Sequence, residues 1–182
     1  GDIVDASMSQ ALIDRAVDAF GRCDVVVNNA GFGEINPIDQ IDIDRVCEMV
    51  RVNVEAAFRL AHLAVRHFLD QGEGHLVNIS SVLGTKVRPT TGAYAGTEYA
   101  IEALSESMRQ EVAGTGVRVI CIEPGIVLTE FHDHWEVHPT KSMNVPNPLQ
   151  PEDIARCVRF ALEQPPHVSI ARMLVLPSEQ KL

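Results

Sequence analysis

The 182-residue sequence predicts an α/β fold with a doubly wound parallel sheet, on three observations. Short β-branched or apolar runs recur at 24–28 (DVVVN), 75–80 (HLVNIS) and 117–122 (VRVICI). Segments with the apolar period of a helix lie between them, and asparagine, serine, glycine or proline closes each run. Continuous runs suit strands covered on both faces, and strand–helix alternation supplies the crossover helices that cover them.

Taken in order, residues 1–5 (GDIVD) predict a short strand end. Ser7 is placed to cap a helix over 10–20, where Ala11, Leu12, Ala16 and Phe20 recur at helical spacing and Gly21 stops the pattern. The run 24–28 is closed by Asn28, Asn29, Ala30 and Gly31, and 31–37 is a loop. A helical pattern begins near Asp42 and continues to about Leu69, where Gln71-Gly72-Glu73-Gly74 breaks it. After the strand at 75–80, a loop over 81–92 leads into a helix over 93–113, ended by Gly114 and Gly116. The strand 117–122 is followed by Glu123-Pro124-Gly125. Residues 126–150 hold Pro139, Pro146 and Pro148 and no sustained period, so they predict a long functional loop with at most a short helix. Pro151 opens a helix at its favoured first position, with acids in the first turn, and 172–176 is the last strand. No repeat or linker divides the chain, so 1–182 reads as a single domain.

Composition narrows the function. With 46% apolar and 22% charged residues the chain can bury one core. No run approaches the roughly 20 apolar residues of a membrane span, and nothing at the start resembles a signal peptide, so a soluble, cytoplasmic protein is expected. A net charge of −10 argues against nucleic acid and anionic membranes as partners and favours a small molecule. Cys23, Cys47, Cys121 and Cys157 lie far apart with no CxxC pair and are expected to be reduced, buried thiols. His132, His134 and His138 fall in one segment, but neither helix nor strand spacing brings all three onto a metal, so none is expected.

Ligands of such sheets bind at the carboxyl ends of the strands, where this sequence puts Asn28 to Gly31, Ser80, Ser81 and Pro124-Gly125. Between 78 and 102 the chain carries Ser81, then Tyr94, then Glu98 four residues later, on the same helical face as the tyrosine.

That stretch resembles the Ser, spacer, Tyr-x-x-x-Lys segment of the short-chain dehydrogenase/reductase family, with Glu98 in place of the lysine. Further segments are similar in the family's order: Asp2-Ile3-Val4-Asp5, the NNAG of Asn28 to Gly31, RVNVEAAF around Asn53, 75–81, the S-E-x-L-R-x-E-like 104–111, and PGIVLTE at 124–130. The resemblance covers nearly the whole chain and implies a Rossmann-like fold. It also implies an NAD or NADP cofactor and hydride transfer between that cofactor and a secondary alcohol or ketone. By the same resemblance Asp2 and the Ile3 backbone meet the adenine, and Asn29, Ala30 and Gly31 run along the adenosine ribose. Pro124, Gly125, Val127 and Thr129 also bind cofactor. Tyr94 is the acid/base, Ser81 hydrogen-bonds the substrate oxygen, Asn53 positions a water, and the loop residues Phe131, Trp135 and Met143 either line a hydrophobic substrate pocket or dock the loop to the core.

The family further implies a homodimer or homotetramer through the helices 52–69 and 93–113. Ala56, Leu60, Leu63, Phe68, Ala103, Met108 and Val112 suit such an interface or, equally, a face packed on the sheet. Two departures bear on activity. Tyrosine has a reference pKa of about 10, and a carboxylate at Glu98 opposes its ionisation where lysine assists it, at about 1.4 kcal/mol per unit. The family's first strand and TGxxxGxG turn are expected to precede Gly1, making the chain part of a longer polypeptide. A non-catalytic binding or scaffold protein that keeps the fold is the alternative reading.

Overall fold

A computed structural model describes residues 1–135 and 137–181. Four parallel strands form one sheet in the order β1 (Val25–Asn28), β2 (Gly74–Ile79), β3 (Val117–Pro124) and β4 (Arg172–Val175). The helices are α1 (Met8–Phe20), α2 (Ile43–Val50), α3 (Ala57–Gln71), α4 (Gly92–Glu111), the single turn α5 (Pro139–Ser142) and α6 (Pro151–Leu162). The predicted α/β parallel sheet is therefore the observed fold.

Two apolar layers hold the sheet. Ile13, Ala61, Ala64, Phe68, Met108 and Val112 of α1, α3 and α4 pack on Leu76, Val117 and Val119. On the other face, Ile154, Val158 and Ala161 of α6 pack on Val77, Ile120 and Ile122. The alternation of neighbours such as Leu76 and Val77 between the layers is the two-residue period of a strand covered on both sides. Gly72 ends α3 at φ +89°, a left-handed backbone that residues with a Cβ rarely adopt. At α6 the Asp153 carboxylate accepts the Gln150 amide at 2.7 Å, which fixes the helix start on Pro151.

Several sequence expectations change. Residues 1–5 form turns, not a strand end, because no strand lies beside them and local bonds coil the segment: Asp2 accepts the Val4 amide at 3.0 Å. Ser7 does not cap α1 through its side chain. It donates its own hydroxyl and amide to Asp5 instead. The long helix at 42–69 is interrupted by a π-helical turn at Arg51–Ala56. The run 24–28 is an edge strand of this sheet with Val25 36% and Val27 47% exposed, so it is not covered on both faces. Cys47 is exposed and Cys157 half-buried, while Cys23 and Cys121 are buried, and all four are free thiols. Of the residues that suited either a subunit interface or the sheet, Ala56, Leu60, Phe68, Met108 and Val112 are buried within this chain. No helix of the described residues is long and apolar enough to cross a membrane.

Candidate active site

A cleft of about 950 Å³ opens at the carboxyl ends of β1, β2 and β3. Its place there follows the chain path, because each of these strands gives way to a loop at that end. Asn29, Ala30 and Gly31 after β1, Ser81 after β2, Pro124 at the end of β3, and Gly125, Val127 and Thr129 after it all line it. So do Asn53, Tyr94, Glu98, Phe131, Trp135 and Met143. Asp2 and Ile3 do not line it.

Tyr94 sits in the first turns of α4 and is 8% exposed. Ser81 ends the loop out of β2, its Oγ accepting the Leu83 amide at 3.1 Å and so presenting the hydroxyl from a fixed turn. Burial drives the Tyr94 hydroxyl well above its ordinary pKa. A Glu98 charge pushes it the same way, whereas the hydroxyl of Ser81 acts to lower it. Phe131 packs against the Tyr94 ring at 5.8 Å between centroids.

Glu98 is 6% exposed, and enclosure raises its carboxyl to about 8, with the charge of Glu102 adding to the rise and Ser80, Thr97 and Tyr94 opposing it. At neutral pH the residue is therefore mostly a neutral carboxylic acid. Glu98 opposes the Tyr94 phenolate, as expected, and its own carboxyl is held protonated by the same enclosure. Of the nearby basic residues, Lys86 is exposed and does not line the cleft, whereas Arg88 lines it, its guanidinium donating to the Lys181 carbonyl at 3.0 Å and the Met143 sulfur at 3.0 Å.

Asn53 lies in the π turn, a local widening of the helix that often marks functional positions. Its side chain braces the loop after β1: Nδ2 donates to the Phe32 carbonyl at 2.8 Å and Oδ1 accepts the Phe32 amide at 3.1 Å. The loop over the cleft is latched to the same strand end. Trp135 Nε1 donates to the Gly33 carbonyl at 3.2 Å, and His134 Nε2 reaches it at 2.8 Å. His132 lines the cleft with its ring 5.2 Å from that of His138. Burial is the first cause that lowers it to about 4, leaving it neutral.

Sequence reasoning placed Asn28 and Ser80 at the strand ends without their contacts, and missed Gln180 and Asn78 altogether. Gln180 accepts the Ile126 amide at 2.9 Å and closes the β3 end of the cleft, a contact between residues 54 apart that no local pattern announces. Asn28 donates to Asn78 at 3.1 Å and Asn78 to Ser105 at 2.8 Å, tying the ends of β1 and β2 to α4. A polar residue set among apolar neighbours in each run is the signal that these asparagines carry. Ser80 faces Glu98 from the end of β2.

A model of the short chain dehydrogenase family matches residues 1–139. The chain belongs to that family. An uncharacterised oxidoreductase of Staphylococcus saprophyticus is 32% identical over 100% of this chain and 76% of its own length. Another, from Staphylococcus aureus strain USA300, is 33% identical over 97% and 74%. Among solved structures, an alcohol dehydrogenase from the archaeon Thermococcus sibiricus complexed with 5-hydroxy-NADP superposes with a TM-score of 0.85. It is 25% identical, with 100% of this chain and 74% of that one covered. A serine dehydrogenase complexed with NADP+ has the same fold, with a TM-score of 0.88 at 24% identity over 100% and 75%. The family places the chain among oxidoreductases.

Proposed function

We propose that this short-chain dehydrogenase transfers hydride between NAD or NADP and a secondary alcohol or ketone, with Tyr94 as the proton-transferring group. The carrying observation is convergence: Ser81 from the β2 end and Tyr94 from α4 bring two buried hydroxyls into one cleft lined by Ala30, Gly31 and Pro124. The residues suit the nicotinamide and ribose part of such a cofactor. A Cβ on Gly125 would come within 2.3 Å of Gln180 Oε1, so glycine keeps that wall narrow, and the hydroxyls and carboxyl around it match ribose and amide groups as hydrogen-bond partners. The bound cofactor supplies the hydride.

In this reading Ser81 holds the substrate oxygen and Tyr94 exchanges a proton with it. Asn53 keeps the floor of the site in place through Phe32, and Phe131, Trp135 and Met143 exclude water from an apolar substrate side. A carbonyl compound with an apolar or aromatic side fits such a wall. The family's homo-oligomeric state and cytoplasmic location belong to the same reading.

The test is NADH and NADPH binding, by fluorescence quenching, together with turnover on a panel of ketones. Tyr94→Phe is expected to retain cofactor binding and to lose about 100-fold or more in turnover, the scale of a removed acid–base group. Unchanged turnover in Tyr94→Phe would sink the assignment.

A further inference from the structure

Tyr94, Glu98 and Glu102 follow one another at four-residue spacing down a single face of α4, and only the first two line the cleft. Glu98 is shut in, with Tyr94 and Thr97 on its own helix, Ser80 from the end of β2 and Glu102 one turn on. Ser80 is itself 6% exposed. A Cβ on Gly84 would stand 2.7 Å from Ser80 Oγ and 2.9 Å from Glu102 Cγ, so only glycine lets these two side chains close together there.

Glu102 is anchored behind this pair. Its Oε2 lies 3.3 Å from Arg172 Nε, and its Oε1 accepts from the Cys121 thiol at 3.2 Å. Arg172 donates in turn to Glu123 at 2.6 Å, and its half-exposed side chain carries the cluster to the β4 edge. The charged and titratable groups of this cluster are thus Tyr94 and Glu102 on α4, Cys121 and Glu123 on β3, and Arg172 on β4.

We infer that Glu98 supplies the proton that Tyr94 gives up during carbonyl reduction, and that Glu102, anchored by Arg172, sets Glu98 for that role. The inference rests on the proposed oxidoreductase reading and gives it a preferred direction. In the reductive step the carbonyl carbon gains the hydride of the reduced nicotinamide, the carbonyl oxygen gains the Tyr94 proton, and an alcohol leaves a Tyr94 phenolate. The Glu98 carboxyl gives its proton to the phenolate and becomes a carboxylate, which takes a proton from water before the next turnover. Glu98 acts through Tyr94 and is a positioning and proton-supplying residue; the paired carboxylate of Glu102 disfavours a second negative charge beside it. Since enclosure and Glu102 hold Glu98 protonated up to about pH 8, reduction is favoured at neutral pH and falls as pH rises through that value.

Infrared difference spectroscopy of the whole chain, without cofactor, follows the carboxylic C=O band through a pH titration. A buried acid band that disappears near pH 8, is missing in Glu98→Gln, and titrates at lower pH in Glu102→Gln is the expected result. No such band in the wild type above pH 6.5, or an unmoved midpoint in Glu102→Gln, overturns the inference; the wild-type titration decides if that variant fails to fold. Ketone reduction is then measured across the same range. The wild type is expected to lose about tenfold in rate per pH unit above the Glu98 midpoint, and Glu98→Gln to be slower at pH 7 and flat. A wild type that neither binds nor oxidises NADH or NADPH overturns the proposed function and this inference together. A wild type that reduces ketones with an alkaline limb kept by Glu98→Gln overturns this inference alone.

Discussion

Helices α3 and α4 lie side by side on the same face of the sheet, yet they bury different chemistry. The buried face of α3 is apolar throughout, made of Ala57, Leu60, Ala61, Ala64, Val65 and Phe68. The buried face of α4 mixes Tyr94, Thr97, Glu98 and Ser105 with the apolar Ala95 and Ile101 before it ends on Met108. The change follows position along the strands. The far end of α4 packs with α3 over Leu76, Val117 and Val119, where there is no ligand to meet, while its near end borders the cleft. One helix stabilises the fold by excluding water, and the other surrenders part of that stabilisation to keep ionisable groups at the site.

Phe68→Ala breaks the comparison on the apolar side. Phe68 is fully buried, so a cavity there is expected to cost about 3–5 kcal/mol at every pH. Urea unfolding at two pH values checks this, and a cost that changes with pH would mean that α3 is coupled to the titrating cluster.

Glu98→Gln breaks it on the polar side, with an effect that depends on pH. The folded chain holds the Glu98 proton up to about pH 8, whereas the unfolded carboxyl releases it near 4.5, so the contribution is full below 4.5 and is lost as pH rises through 8. Half-buried His132, lowered to about 4, and His75, also lowered, act with the opposite sign below the ordinary 6.5, so the clean window is 6.5 to 8. At about 1.4 kcal/mol per unit the wild type should lose about 2 kcal/mol across it, and Glu98→Gln should lose almost none. Equal slopes for the two proteins would show that Glu98 is not the titrating group.

The same contrast explains what could be read from the sequence. The strands and α3 are legible because a β-branched run or a 3.6-residue apolar period is a local signature of burial, as at 117–122 and around Ala61 to Phe68. The site residues Ser81, Tyr94 and Glu98 are legible as positions, since helical spacing fixes which side chains share a face. The ionisation of Glu98 is not legible, because it depends on enclosure and on Glu102, whose anchor Arg172 lies on another strand. The strand expected at 1–5 failed for the complementary reason: Ile3 and Val4 have strand propensity, but pairing needs a neighbour, and local bonds from Asp2 and Asp5 prevail without one. The π turn at Asn53 leaves no mark in composition at all.

The smallest predicted effect separates buried polarity from buried charge. Ser105 lies on the same helix as Glu98, is 5% exposed, accepts the Asn78 amide at 2.8 Å and donates to the Ile101 carbonyl at 2.7 Å. It is polar but does not titrate. Ser105→Ala leaves a buried Asn78 N–H without its acceptor, which should cost about 1 kcal/mol. Because no proton is gained or lost, that cost should stay constant from pH 6.5 to 8, unlike the response of Glu98→Gln over the same window. Denaturant midpoints at the two ends of the window measure both. If Ser105→Ala also changed the slope with pH, the dependence would belong to the polar face of α4 as a whole; a constant cost assigns it to the one carboxyl beside Tyr94.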